Sequence, residues 1–336
     1  MGVDGADGRV PLGSLGALGE AAVLARILPR LAPAASALVG PGDDAAVLDA
    51  PDGRVVVTTD TLVEGPDFRT GWSSPYDLGW KAAAVNLADI AAMGAAPTAL
   101  VVALAAPAAT PAPHLEALAD GLRDACDALA PGCGVVGGDL TVSPTFTVAV
   151  TALGDLGGRA PVLRSGARAG DAVALCGDLG LAALGLRLLV AEAVDPAGNP
   201  DAARAAAVRA RHPREVEAQL RPHPPLAAGP GAAAFGATAM LDASDGLLLD
   251  ARRLAAASGV RLDLRGSAVP PEIFGAGEDH ALLACFPRGT GGGIAPLPDG
   301  FRPIGAVVPG KGVTVDGVAA DERGGWDPYA DWDGAR

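Results

Sequence analysis

Asp77-Leu78-Gly79-Trp80-Lys81-Ala82-Ala83-Ala84-Val85-Asn86-Leu87-Ala88-Asp89-Ile90-Ala91-Ala92-Met93 is alanine-rich and nearly free of charge, and it reads as a helix. Asn86 and Asp89 stand three apart, so they share one face. An aspartate alone among apolar residues carries a large desolvation cost. It faces either solvent or a cation, and Asn86 beside it favours the cation. Lys81 reads as a surface charge on the same helix. Working outward, residues 54–59 form a β-branched run that predicts a buried strand closing at Asp60. Residues 98–104 predict a strand, and 114–129 a helix with Leu115, Leu118, Leu122 and Leu129 on one side. Val135-Val136 predicts a short strand running into the turn Gly137-Gly138-Asp139, residues 145–153 a strand, and residues 15–28 a helix.

Around Gly157-Gly158 the pattern changes. A polar, glycine-rich junction at 164–171 precedes a strand at 172–176. The boundary divides the chain into domains 1–157 and 158–336. A helix from Leu179, a long Ala/Arg-rich helical stretch, a strand at 237–241 and a helix to about Ala257 follow. Neither half repeats βα units at fixed spacing, so the class is α/β of the α+β kind, in two domains.

Five short motifs end on acids beside glycine, threonine or serine: Gly42-Asp43-Asp44, Thr58-Thr59-Asp60, Asn86 to Asp89, Gly137-Gly138-Asp139 and Asp242-Ala243-Ser244-Asp245-Gly246. Singly each has an ordinary reading. Gly-Asp pairs make turns, and Ser244 or Asp245 would cap the helix that follows. Together they offer stiffly held oxygen ligands, the preference of Mg²⁺ ions that carry polyphosphate. Gly305-Ala306-Val307-Val308-Pro309-Gly310-Lys311-Gly312 nearly matches a phosphate-binding loop. It lacks the terminal Ser/Thr and the following helix, and reads as a hairpin turn.

Composition narrows the function further. The net charge of −14 over 336 residues argues against nucleic acid, which needs a basic footprint. The four cysteines are scattered and form no zinc spacing. No well-placed Cys or His nucleophile is visible. The longest apolar run is too short to span a bilayer. A signal peptide is not evident, and the expected compartment is the reducing cytoplasm.

Taken in order, these motifs resemble the thiamine-monophosphate kinase family, within the superfamily of aminoimidazole-ribotide synthetase and selenophosphate synthetase. The resemblance is carried by GDDAAVL at 42–48, TTDTLVEG at 58–65, GWKAAAVNLADIAAMGA at 79–95, VVGGDLT at 135–141, RSGARAGD at 164–171, LDASDGL at 241–247, GEDHALL at 277–283 and Gly325-Trp326. It implies a two-domain aminoimidazole-ribotide-synthetase-like fold whose N-terminal domains form a dimeric β-barrel-like core. It implies transfer of the ATP γ-phosphoryl group to thiamine monophosphate, with several Mg²⁺ ions and no covalent intermediate. Carried over, Asp44, Thr58, Thr59, Asp60, Asp89, Asp139, Asp242 and Asp245 are the metal ligands. Gly138, Asp139, Arg164 and Ser244 contact ATP, and Asp67, Glu278 and Trp326 lie at the acceptor. The chain departs from the family pattern at Asp67 (usually His), Ala88 (Ser), Ala276 (Gly) and His280 (Tyr). A sibling ATP-dependent synthetase is the alternative enzyme, but selenophosphate synthesis wants an N-terminal Cys and the first here is Cys126. A non-catalytic Mg²⁺-nucleotide-binding protein is the alternative of a different class.

Overall fold

The computed structural model describes residues 11–41, 45–288, 296–320 and 324–326. The first half holds α1 (Leu15–Leu18), α2 (Glu20–Ile27), the short pair β1 (Ala37–Val39) and β2 (Val47–Leu48), then β3 (Val56–Val63), α3 (Pro75–Ala92), β4 (Ala96–Ala106), α4 (Ala112–Leu129), β5 (Val135–Val142) and β6 (Thr147–Asp155). The helix expected over 15–28 is broken at Gly19, whose φ of 80° ends α1 and starts α2.

Strands β3, β6, β4 and β5 form a four-stranded sheet in that order, with β4 and β5 parallel. Side chains alternate across it. Leu62, Leu100, Val102, Leu104, Leu140, Val148 and Val150 point inward, onto the layer that includes α3 and α4. The other face is open: Val57, Thr59, Val101, Ala103 and Asp139 are exposed there. Among the described residues this sheet does not close into a barrel.

Helix α3 is buried on nearly every side. It packs against α4 at backbone distance, because a Cβ on Gly79 would stand 2.0 Å from the Leu118 carbonyl oxygen and one on Gly121 2.1 Å from that of Tyr76. Ser74 and Asp77 form a reciprocal capping box at its start, and Pro75 opens the first turn. Asp77 is 1% exposed. Its carboxylate also accepts from Arg209 at 3.1 Å and pairs with Arg221, both in the second half of the chain.

The second half holds β7 (Ala172–Cys176), α5 (Leu181–Glu192), α6 (Ala202–Arg211), α7 (Pro213–Leu220), α8 (Ala228–Phe235), β8 (Ala239–Ala243), α9 (Leu247–Ser258), β9 (Arg261–Leu264), β10 (Ala281–Phe286), β11 (Phe301–Val308), β12 (Gly312–Val315) and β13 (Val318–Ala319). Its seven-stranded sheet runs β13-β12-β9-β11-β7-β10-β8. The Ala/Arg-rich stretch is two helices, because Pro213 cannot donate to the turn before it. The expected hairpin at 305–312 is not one. β11 pairs antiparallel with one edge of β9, and β12 pairs parallel with the other. Among the described residues no strand of either sheet joins the other sheet. α3 bridges the halves by packing against β3, β4 and β6 and also against β8, α7 and α8. Among the described residues no helix is long and apolar enough to cross a membrane.

Candidate active site

The cleft between the halves is built on β3 and α3 from one side and on β8 and its following turn from the other. Thr58 and Asp60 lie inside β3, which runs on to Val63 rather than closing at Asp60. As alternate residues they both face α3. Thr58 Oγ1 donates to Asp89 Oδ2 at 2.9 Å. The backbone N–H of Asp60 donates to Asn86 Oδ1 at 3.1 Å, while Asn86 Nδ2 donates to the Ala82 carbonyl. The face predicted for Asn86 and Asp89 is the face turned to β3.

Opposite, Asp242 sits within β8, one residue before the strand ends, and is buried. Its Oδ2 lies 3.1 Å from His280 Nδ1. Asp245 is on the turn, with its carboxylate 2.5 Å from Arg253. Neither Ser244 nor Asp245 caps α9, because the residue at the N-cap is Gly246. Gly246 has φ 125°, and a Cβ there would meet the carbonyl oxygen of Gly324 at 2.7 Å. That close approach lets residues 324–326 lie over the turn, where the Trp326 N–H donates to the Asp245 carbonyl at 2.7 Å.

The charges of these acids act on one another. Burial first, then Asp242 and Asp60, raise the Asp89 carboxyl from 3.8 to about 7. Burial also raises Asp60, with His280 opposing and Asp242, Asp245 and Glu278 adding to the rise. Asp250, behind the turn, is lifted to about 6, mainly by burial. Carboxyls pushed upward together are short of positive charge, which a divalent cation would supply. Their hard oxygen donors suit Mg²⁺. Among the described residues no three acids converge enough to enclose an ion by themselves. Each ion would draw further ligands from water and phosphate, as Mg²⁺ does at nucleotide sites.

Beside this cluster a cavity of about 390 Å³ is lined by Asp67, Lys81, Gln219, Ser244, Asp245, Glu278 and Trp326, with Trp72, Leu186, Leu189 and Val190 as an apolar wall. Asp67 Oδ2 accepts from the Val63 N–H at 2.8 Å. Burial raises its carboxyl, against that hydrogen bond. Glu278 and His280 both have positive φ, 69° and 53°. Non-glycine residues held there are uncommon and cluster at functional sites. Burial opposes charge on Glu278, yet Lys81 and His280 hold it below its ordinary value. Lys81 is not a surface charge. It is 4% exposed and ion-paired with Glu278. His280, which the sequence marks only as a departure from the family pattern, is a further residue of the site.

Not every predicted residue joins. Asp139 and Gly138 lie inside β5, not on a turn. Asp139 is in register with Ala103, Ala149 and Thr61 across the sheet, so three strand spacings, about 14 Å, separate it from β3. It shares the open face with Thr59, whose hydroxyl donates to the Val150 carbonyl. There Gly137, Gly138 and Asp139 line a separate, mainly apolar cavity of about 720 Å³. Arg164 is exposed, and its carbonyl accepts from Ser258. Asp44 falls outside the described residues.

An acid-bearing sheet and helix facing a second mixed half defines a class before it defines a protein. Residues 42–156 match the family model of the AIR synthase related protein, N-terminal domain. Thiamine-monophosphate kinase of Mycobacterium tuberculosis (strain ATCC 25618 / H37Rv) is 45% identical, covering 94% of this chain and 93% of that protein. The crystal structure of thiamine-monophosphate kinase from Stenotrophomonas maltophilia K279a has a TM-score of 0.70 at 32% identity, over 89% of this chain and 95% of that one. AaThiL complexed with AMPPCP and TMP has a TM-score of 0.68 at 30% identity, over 84% and 90%. Within the AIR-synthase-related class, the chain belongs to the thiamine-monophosphate kinase family of enzymes.

Proposed function

We propose that the chain transfers the γ-phosphoryl group of ATP to thiamine monophosphate, giving thiamine diphosphate, by a direct in-line step that depends on Mg²⁺. The observation that carries this reading is the group of acids whose charges raise the Asp60 and Asp89 carboxyls, with one of its members, Asp245, lining a cavity that has an aromatic and apolar wall. The relative AaThiL, complexed with AMPPCP and TMP, supports the same pair of substrates.

The acceptor phosphate, with a second pKa near ~6, is largely a dianion at neutral pH, so no protein base is required. The obstacle is repulsion between polyanions, about 4 kcal/mol for two unit charges at 4 Å and an effective dielectric of 20. Mg²⁺, when bound, offsets that repulsion and aligns the phosphates. Asp60, Asp89, Asp242 and Asp245 would hold the ions, with Thr58 orienting Asp89 and Asn86 anchoring β3. Ser244 would face ATP, and Glu278 and Trp326 the acceptor. A cationic ring against Trp326 would gain ~1–2 kcal/mol. The four cysteines are buried and unbridged, which supports transfer without a covalent intermediate.

Asp44, Thr59, Asp139, Gly138 and Arg164 enter the same reading through a homodimer in the cytoplasm. The open face of the four-stranded sheet would meet its copy in a barrel-like core, bringing a second acidic edge to ATP. Residues 1–157 would then be the Mg-ATP and dimerisation domain, and 158–336 the domain completing the acceptor site. The test is incubation with Mg-ATP and thiamine monophosphate, with thiamine diphosphate read by chromatography. ATP binding without product would replace this reading by a non-catalytic nucleotide-binding role.

A further inference from the structure

Lys81 is one of only two lysines in the chain. Burying an ammonium costs several kcal/mol and is tolerated when the charge is paired. Here the partner is Glu278, 197 residues later and on the opposite side of the cleft. Gln219 completes the arrangement. With its amide turned over, its oxygen would lie 3.3 Å from Lys81 Nζ and its nitrogen would donate to the Ala182 carbonyl at 3.1 Å. The ammonium, at the cavity wall, is thus paired with protein groups.

The pair is lopsided. Both line the cavity, but the Lys81 side chain is 5% exposed and that of Glu278 42%. An ion pair kept only for stability gains little, since apolar replacements of buried pairs are often neutral or better. A nearly buried cation paired with an open carboxylate instead fixes that carboxylate for a ligand. Helix α3 supplies the spacing. The eight residues from Lys81 to Asp89 rise about 12 Å along it, which separates the carboxylate end of the cleft from the acid cluster.

We propose that Lys81 is a positioning residue for the acceptor. It holds the Glu278 carboxylate at the cavity that Trp326 also lines, where the cationic ring end of the acceptor lies, while Asn86 and Asp89 on the same helix face the phosphate end. This rests on the kinase reading above.

The experiment varies ATP and thiamine monophosphate separately for wild type, Lys81→Met, Glu278→Gln and the double variant. Lys81→Met is expected to raise KM for thiamine monophosphate by about tenfold, with kcat and KM for ATP within about threefold of wild type. Glu278→Gln should show the same split, and the double variant should be no worse than Glu278→Gln alone. Lys81→Arg, which keeps the charge, should recover part of the acceptor affinity. If Lys81→Met does not fold, Glu278→Gln and Lys81→Arg carry the test. An acceptor KM within about twofold of wild type in Glu278→Gln or Lys81→Met, or effects that multiply in the double variant, overturns the inference alone. A wild-type protein that makes no thiamine diphosphate overturns the kinase reading, and this inference with it.

Discussion

Replacing Asp89 by asparagine separates what the acid cluster does in catalysis from what it costs the fold. Burial and the charges of Asp242 and Asp60 lift the Asp89 carboxyl from 3.8 to about 7. Each tenfold change in proton affinity is worth ~1.4 kcal/mol. Above neutral pH the ionised carboxylate therefore weakens the cation-free fold by about 4 kcal/mol at most. Asparagine has nearly the same shape and carries no charge. Against the gain stands the hydrogen bond from Thr58 Oγ1 at 2.9 Å, whose charge-assisted part is worth ~1 kcal/mol. Asp60 and Asp242 share the remaining repulsion, so the expected net stabilisation is ~2 kcal/mol, a rise of ~3 °C in Tm for a chain of this size. The folded-state pKa is raised, so the folded protein keeps a proton that the unfolded chain releases. The Asp89 contribution is fully present below pH ~4 and is lost as pH rises through about 7. The advantage of Asp89→Asn is thus absent near pH ~4 and complete near pH ~8. Thermal unfolding in EDTA at both pH values checks this, alongside thiamine diphosphate formation with Mg-ATP, expected to fall by ~100-fold or more. A variant that melts at or below wild type near the upper pH, or with the same offset at both, would refute the argument that these acids await a cation.

Asp77→Ala leaves Arg209 and Arg221 facing an empty cap and removes the capping box, so chemical denaturation should show a loss of about 3–5 kcal/mol. Burial opposes ionisation of Asp77, but Ser74, Arg209 and Arg221 hold its pKa low, so its contribution is present above pH ~4 and lost below it. Gly79→Val drives a side chain into the Leu118 carbonyl and should yield little soluble protein, read by expression and gel filtration. Asp139→Asn, on the exposed face, should leave Tm within ~1 °C of wild type while lowering thiamine diphosphate formation. A normal rate would remove Asp139 from the proposed ATP site.

The architecture was legible where burial and chemistry agree. β7 falls on the predicted residues because all five of its side chains are buried and apolar. Asn86 and Asp89 share the predicted face because helical spacing fixes it whatever surrounds the helix. The errors arise where a glycine or an acid serves a strand instead of a turn. Gly137-Gly138-Asp139 looks like turn chemistry, but Gly138 lies against β4, where a Cβ would stand 2.0 Å from the Val102 carbonyl. Only the pairing partner reveals that, and it comes from β4. Ser244 looked like a cap because the sequence cannot show Gly324 pressing on Gly246.

Lys81 is the instructive miss, because its signal was present. Ala82 to Ala84 and Leu78 to Trp80 leave no polar stripe on that part of α3, so a lysine there has no solvent face to occupy. A charge on a helix with no exposed side needs a partner from elsewhere in the fold, and an acid across the cleft meets that need. The same logic, applied to Asp89, led to the cation. Asp89 and Lys81 are therefore two answers to one problem on one helix. Among the described residues no cation pairs with the acid, which would suit a metal on the proposed function, whereas the lysine takes its counter-charge from Glu278. On the proposed function, that difference would assign the two ends of the cleft: the phosphates where negative charge is unbalanced, and the cationic ring where a carboxylate is fixed and still open. Exchanging the two chemistries, by moving the lysine toward Asp89, should block Mg²⁺ at the cluster and abolish Mg-ATP binding by calorimetry. Retained binding would show that the ions do not depend on that unbalanced charge.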